Sequence, residues 1–220
     1  MTLFRLDSSI QGDASVSRAV ADAVERAWCD HHPEPNVIRR DLAASPVPAD
    51  AWQTAVSGLF AAEADRTPQQ RAALTLASSL ADELFAGDAA LIAAPLYNYG
   101  ISQHLKSWID LVLTDPRLQP GSAGLDGKPV TIVVSRGGGY GPGTPREGWD
   151  HDTPYVRRIF ADVLNADVTV VTAELTLAPV KPEMAHLREL AEESRARALR
   201  DAETTGRVLA QRLAPAGVSR

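Results

Sequence analysis

Ala89-Ala90-Leu91-Ile92-Ala93-Ala94-Pro95-Leu96-Tyr97-Asn98-Tyr99-Gly100 decides the fold. The run Ala89 to Ala94 is apolar without alternation, as expected of a strand covered on both faces. Proline has no N–H to give to a ladder, so the strand stops at Pro95. An amphipathic segment starts just beyond, at Ile101-Ser102. The intervening residues form a short loop at the carboxyl end of a buried strand, before a helix. In an open α/β sheet that is where ligands sit. Two aromatic rings can wall in a planar heterocycle, and a carboxamide can read its edge. Gly100 would let backbone approach a ligand. An ordinary strand-to-helix turn with a surface tyrosine is the alternative.

Working outward towards the start, Thr2 to Leu6 reads as a first strand, followed by the polar run Asp7-Ser8-Ser9-Ile10-Gln11-Gly12-Asp13-Ala14-Ser15-Val16-Ser17. A helix then carries apolar residues at Val16, Ala19, Val20, Ala23, Val24 and Ala27, with Ser15 as N-cap. Hydroxyls and free N–H groups at a helix N-terminus suit a phosphate. Neither GxGxxG nor Gly-Lys-Ser/Thr occurs there, and a plain serine-rich loop is the alternative. Asn36 to Asp41 reads as a second strand. Leu42 to Asp65, broken by Pro46 and Pro48, reads as an irregular excursion with one helical turn near Trp52. Thr67-Pro68-Gln69-Gln70 opens a helix with a capping box, and Gly87 ends it.

Towards the end, Ile101, Leu105, Trp108, Ile109 and Val112 share one side of a helix, and Val130 to Val134 is a β-branched fourth strand. The run Ser135-Arg136-Gly137-Gly138-Gly139-Tyr140-Gly141-Pro142-Gly143 follows. Three consecutive glycines suggest backbone that approaches something closely or changes shape, with a lid or a plain connector as alternatives. Tyr155 to Leu164 reads as helix and Ala166 to Thr172 as the fifth strand. A last amphipathic helix runs from about Glu183 to about Leu213, leaving 214–220 as a tail expected to be disordered. Alternating strands and helices predict one α/β domain over 1–213, a doubly wound parallel five-stranded sheet in the order 2-1-3-4-5. The loops after strands one, three and four are then neighbours at the switch point.

Composition narrows the function. The 220 residues carry 28 acidic and 22 basic side chains, a net charge of −6, which argues against nucleic acid or an anionic membrane as the main partner. One cysteine, Cys29, allows no intrachain disulfide and suits a reducing cytoplasm. The first residues are too short and too charged for a signal peptide, and no apolar run reaches the ~20 residues of a membrane helix. With no HxxxH or CxxC pair, a metal site has no support.

In order, the chain holds Ser8-Ser9, Ser15-Val16-Ser17, Arg40-Asp41-Leu42-Ala43, Thr67-Pro68-Gln69-Gln70, Pro95-Leu96-Tyr97-Asn98-Tyr99, Ser135-Arg136-Gly137-Gly138 and Thr153-Pro154-Tyr155. This ordered set resembles the FMN-dependent NADH-azoreductase and quinone-reductase family of flavodoxin-like proteins, over nearly the whole chain. The resemblance implies a homodimer with FMN near the subunit interface and a ping-pong cycle. NADH or NADPH reduces the flavin and leaves, and a small-molecule acceptor takes its place. It implies that Ser9, Ser15, Val16 and Ser17 hold the FMN phosphate. Pro95, Leu96, Tyr97, Asn98 and Tyr99 would line the flavin ring, and Ser135, Arg136, Gly137 and Gly138 would lie beside its pyrimidine edge. The flavin does the redox chemistry in such enzymes, so no catalytic acid or base is named.

The departures lie on the acceptor side. Leu96 stands where relatives carry Met, Tyr99-Gly100 where they carry Phe-Asn, and Asp162 where an aromatic is expected. The segment after Leu113 is short and lacks an aromatic pair. Tyr140 and Trp149 are the aromatics that could refill the pocket, with surface residues of a longer loop as the alternative. Tyr140, Trp149 and Asp162 are the candidate substrate contacts, and exposure on the outer face of its helix is the alternative for Asp162. A flavin enzyme of a specialised pathway, a flavodoxin-type electron carrier and a flavodoxin-like protein without its cofactor are the competing readings.

Overall fold

All seven residues of β3 (Ala89–Pro95) are buried, because the strand lies at the centre of a sheet covered on both sides. The computed structural model describes residues 1–213. The tail expected at 214–220 lies outside the described residues. The sheet is fully parallel in the order β2-β1-β3-β4-β5, as the alternation of elements predicts. Its other strands are β1 (Thr2–Asp7), β2 (Asn36–Asp41), β4 (Pro129–Ser135) and β5 (Asp167–Ala173). Edge strands β2 and β5 are only partly covered, which explains their charged residues.

Period-two alternation sorts the central strands onto two cores. Phe4, Leu6, Ala90, Ile92, Val130, Ile132 and Val134 face one side. There they meet α3 (Pro68–Ala86), α4 (Gln103–Val112) and the segment after α5 (Thr153–Arg157). Trp108 stacks between Phe4 and Phe160, with ring centroids 6.3 and 6.5 Å away, binding sheet and helices through one aromatic column. Leu3, Ala89, Leu91, Ala93, Val133 and Val171 face the other side. They pack on α1 (Val16–Cys29) and α6 (Arg188–Leu213). Each large apolar side chain so buried contributes about 1.5–3 kcal/mol.

Caps set the helix starts. The Ser15 hydroxyl accepts from the Arg18 N–H, and Thr67 with Gln70 forms the expected reciprocal box. Two elements differ from expectation. The excursion after β2 holds a 10-residue helix, α2 (Ala51–Phe60), rather than one turn. Its buried stripe is Ala51, Ala55 and Gly58, too small to register as an apolar face, and tertiary packing against Gln70 and Leu74 of α3 supplies the stabilisation. The helix starting at Thr153 widens to π geometry over Arg158–Val163, where the Leu164 N–H reaches the Ile159 carbonyl at 3.0 Å. The last helix starts at Arg188, after a 3-10 segment over Pro182–Leu187.

At Gly206, α6 meets α1 so closely that a Cβ would lie 2.3 Å from the Val24 carbonyl oxygen and 2.9 Å from Ala27 Cβ. Helix propensity alone would make Gly206→Ala stabilising by about 1 kcal/mol. The backbone contact reverses the sign, and Gly206→Ala is expected to lower the unfolding free energy by about 1–3 kcal/mol in urea denaturation. A more stable variant would refute the close packing.

Candidate functional site

The carboxyl ends of β1, β3 and β4 open at one edge: Asp7 is level with Ala93, and Pro95 with Ser135. Ser8 Oγ donates to the Ala93 carbonyl at 2.8 Å, and Ser9 Oγ pairs with the Tyr97 hydroxyl at 2.9 Å. Ser15 Oγ and Ser17 Oγ lie 3.0 Å apart at the start of α1. All four serines are buried. The first N–H groups of a helix lack intrahelical acceptors. Here Arg18 N–H is taken by Ser15 Oγ and Ala19 N–H by the Ser15 carbonyl, which leaves Val16 and Ser17 N–H without a protein acceptor among the described residues. Open donors, hydroxyls and a positive helix end fit a phosphate.

Arg18 holds this loop in place, a role the sequence reading missed. Its guanidinium pairs with Asp41 at 2.7 Å, lies 3.9 Å from Asp7, and donates to the Ser9 carbonyl at 3.3 Å. The hydrogen bond from Arg18 keeps the Asp41 carboxyl below its usual range, helped by the N–H groups of Ala43 and Ala44. The arginine stands in plain view in Ser-Val-Ser-Arg at the start of α1, but its partner Asp41 lies at the end of β2, out of reach of local reading.

Beyond Pro95 the chain makes a two-residue turn. Tyr97 and Gly100 exchange backbone hydrogen bonds at 2.9 and 3.0 Å, and the central residues Asn98 and Tyr99 have φ of +49° and +69°. Positive φ at both positions matches a type I′ turn, which costs an L residue such as Tyr99 about 1–2 kcal/mol. Gly100, the glycine expected to permit close approach, has open space around it and no positive φ. The unusual backbone falls on the two side-chain-bearing residues that face the cleft.

The loop after β4 is tied on several sides. Arg136 pairs with Asp150 at 2.6 Å and Glu174 at 2.8 Å, and donates to Thr153 Oγ1 at 2.8 Å. Its side chain therefore anchors the loop to β5 and α5 and does not line the cleft, so only its backbone is available for the place beside the flavin's pyrimidine edge that the resemblance implies. Gly137 and Gly138 do line it. A Cβ on Gly137 would meet Leu177 Cδ1 at 2.6 Å, and one on Gly138 would meet Arg146 Nη1 at 2.9 Å. The glycines thus serve close packing within the protein, and neither has positive φ. Their N–H groups have no protein acceptor among the described residues.

Tyr140 and Trp149 meet Tyr99 edge-on at 6.5 and 5.4 Å, and the His151 N–H donates to the Tyr99 carbonyl at 2.9 Å. In this structure the segment packs against Tyr99 as one wall of the cleft. Tyr140 is 8% exposed and lines the cleft; Trp149 is 51% exposed and stands behind Tyr99. The cleft measures about 430 Å³ and runs from Ile10 past Leu96, Tyr97, Asn98 and Tyr99 to Gly137, Gly138 and Leu177. A second cavity of about 590 Å³ adjoins it through Ile10, Tyr97 and Asn98. Asp162 belongs to neither. Its side chain is 48% exposed and paired with Arg158 at 2.9 Å, one turn away on the outer face. Asp162 is therefore not brought to the site as a substrate contact, and the alternative, exposure on the outer face of its helix, is the one the structure shows.

Asp152 is the most unusual acid here. It is fully buried, and neither carboxylate oxygen has a hydrogen-bond partner. Burial, then the neighbouring Asp150 charge, pushes its pKa up to about 8 against the pull of Arg136, so it is neutral below that pH.

Comparison with known proteins agrees with this architecture. The profile of a family described as having a flavodoxin-like fold matches residues 1–198. The chain is 42% identical to an FMN-dependent NADH:quinone oxidoreductase of Streptomyces avermitilis, over 97% of this chain and 99% of that protein. It is also 42% identical to one of Streptomyces coelicolor, over 96% of each. Among solved structures, azoreductase AzrA superposes with a TM-score of 0.77 at 21% identity, covering 94% of this chain and 99% of that one. An FMN-dependent NADH-azoreductase from Bacillus anthracis in complex with FMN gives 0.76 at 18% identity, covering 95% and 98%. At such identities the structural matches speak to the fold.

The neutral Asp152 gives stability a pH dependence. The folded protein binds this proton more tightly than the unfolded chain does. The resulting stabilisation is complete below the unfolded pKa near 3.8 and is lost as pH rises through about 8. Asp152→Asn is expected to remove that loss. At pH 9 the variant should exceed the parent by more than about 1 kcal/mol in denaturant titrations, and the gap should narrow towards pH 5. A gap independent of pH would mean that Asp152 is charged in the fold.

Proposed function

The chain belongs to the flavodoxin-like family of FMN-dependent NADH:quinone oxidoreductases, and from that premise we propose that it transfers two electrons from NADH to a quinone, donor and acceptor using one cleft in turn. The observation that supports this most is a phosphate-type helix N-terminus and a ring-walled cleft meeting at the ends of three adjacent strands. Azo compounds are the second acceptor class, favoured by the conjugated, aromatic lining.

The residues fit FMN. Ser9, Ser15 and Ser17 would give hydroxyls to its phosphate, and Val16 and Ser17 their open N–H groups. Pro95, Leu96, Tyr97, Asn98 and Tyr99 would carry the ring. Ser135, Gly137 and Gly138 would meet the pyrimidine edge, with Arg136 fixing that loop from behind. When bound, FMN supplies the hydride and electron chemistry between nicotinamide and acceptor. The protein binds, orients and balances charge. The unpaired N–H groups of Gly137 and Gly138 offset negative charge at the pyrimidine edge. Tyr140, packed on Tyr99, bounds the side from which the donor and acceptor enter, and Trp149 buttresses it. We read the active species as a homodimer. Ile10, 64% exposed between the two cavities, and Phe60, 88% exposed on α2, are the apolar side chains a partner would cover.

Ser15→Ala with Ser17→Ala is expected to weaken FMN binding by about 1–3 kcal/mol while leaving riboflavin affinity unchanged, read by flavin fluorescence quenching. Equal affinity of the parent for FMN and riboflavin would refute the phosphate assignment. Failure of the FMN-saturated protein to oxidise NADH with any quinone would refute the activity. Sedimentation at micromolar concentration should give twice the mass of the chain, and a monomer would refute the dimer.

A further inference from the structure

The cleft is free of acids in an acidic chain. Asp and Glu number 28 against 22 Lys and Arg. Yet no carboxylate lines the 430 Å³ cleft, and Arg146 is the one charged residue that does. The adjoining 590 Å³ cavity has no carboxylate in its lining either, and its lysine, Lys106, is paired with Asp110 at 2.6 Å, so Arg146 carries the unbalanced charge of the two cavities among the described residues. A cleft of one sign draws ligands of the other.

Arg146 differs from the other two arginines of these loops. Arg18 and Arg136 are consumed by ion pairs with Asp41, Asp150 and Glu174. Arg146 has no acidic partner within 4.0 Å among the described residues. Its guanidinium carbon stands 6.0 Å over the Tyr99 ring. Its Nη1 rests on Gly138, where a Cβ would come within 2.9 Å. A guanidinium on an aromatic face keeps its N–H edge free for a planar anion, which it can grip with two hydrogen bonds. Gly138 and Tyr99 thus hold an unneutralised cation at the mouth of a flat cleft.

We propose that Arg146 is a specificity residue of the acceptor site, selecting conjugated acceptors that carry a carboxylate or sulfonate beside the ring system. The inference rests on the reading that FMN lies on Leu96 to Tyr99 with the acceptor stacked over it in the same cleft, and it adds the charge of the substrate; an Arg146 occupied by the flavin's own pyrimidine edge would show no preference for an anionic acceptor. The diphosphate of a dinucleotide donor has the same chemistry, so the experiment separates the two.

Two measurements test this on the full chain saturated with FMN, for the parent and Arg146→Gln. Calorimetric titration with naphthalene-2-sulfonate and its neutral sulfonamide reads binding without turnover. The parent is expected to favour the sulfonate by about tenfold, the worth of one charge-assisted contact, and Arg146→Gln to lose that ratio. Steady-state kinetics with 1,2-naphthoquinone and its 4-sulfonate should show the lower KM for the sulfonate in the parent only, and added salt should shrink the difference. Equal binding of sulfonate and sulfonamide by the parent overturns the proposal. A variant effect confined to the KM for NADH also overturns it and assigns the cation to the donor. If neither quinone is turned over, the proposed activity fails, and the calorimetric ratio still decides whether Arg146 recognises anions.

Discussion

Burial of β1, β3 and β4 on both faces is the constraint from which the rest follows. A sheet without a wet face needs helices on each side, and right-handed crossovers decide which side each helix takes. The chain leaves β1 towards β2 across one face, through α1. It leaves β3 towards β4 across the other, through α4. The loops after β1 and β3 therefore turn away from each other, and a crevice is left between them. Pro95 ends the central strand at the floor of that crevice, level with Ser135. The position of the site is thus a consequence of topology.

What the sequence discloses follows the same division. Interactions local in the chain were readable: the serine cap at Ser15, the capping box at Thr67, the proline stop at Pro95 and the apolar run of β3. Elements stabilised through small residues were not. Ala51, Ala55 and Gly58 carry no visible hydrophobic face, and α2 owes its length to α3. Side-chain roles set by distant partners were also hidden. Arg136 stood in a ligand-type loop, but Asp150 and Glu174 claim its guanidinium. Asp162 stood where an aromatic was expected, and a helical neighbour on the outer face takes it. Gly100 and the run starting at Gly137 suggest backbone that approaches a ligand or changes shape, whereas Gly100 has open space around it and Gly137 and Gly138 pack on Leu177 and Arg146.

Two arginines fasten the loops of the site. Arg18 closes the first loop over its own backbone, and Arg136 fastens the third to the edge of the sheet. Both are held by carboxylates, so the loops they hold do not rely on a ligand to order them. Such preorganisation lowers the ordering cost of binding. Strain is concentrated in the middle loop, where Asn98 and Tyr99 adopt left-handed backbone under the packing of Tyr140 and Trp149. Anchored flanks around one strained turn set the positions from which the aromatic residues face the cleft.

The contact between α1 and α6 has a consequence for how the chain acquires its fold during synthesis. Gly206 meets Val24 across nearly the whole sequence, and Ala198, Ala202 and Leu209 complete the core of which Leu3, Val24 and Trp28 are part. Until α6 has left the ribosome, α1 alone covers that face of the sheet, and the apolar surface that α6 would seal stays open. Loop closure over such a separation is slow compared with local helix formation. The nascent chain can assemble the other face early, around Trp108, but must wait for its last helix to seal the second. During that interval it is a natural client for holding chaperones.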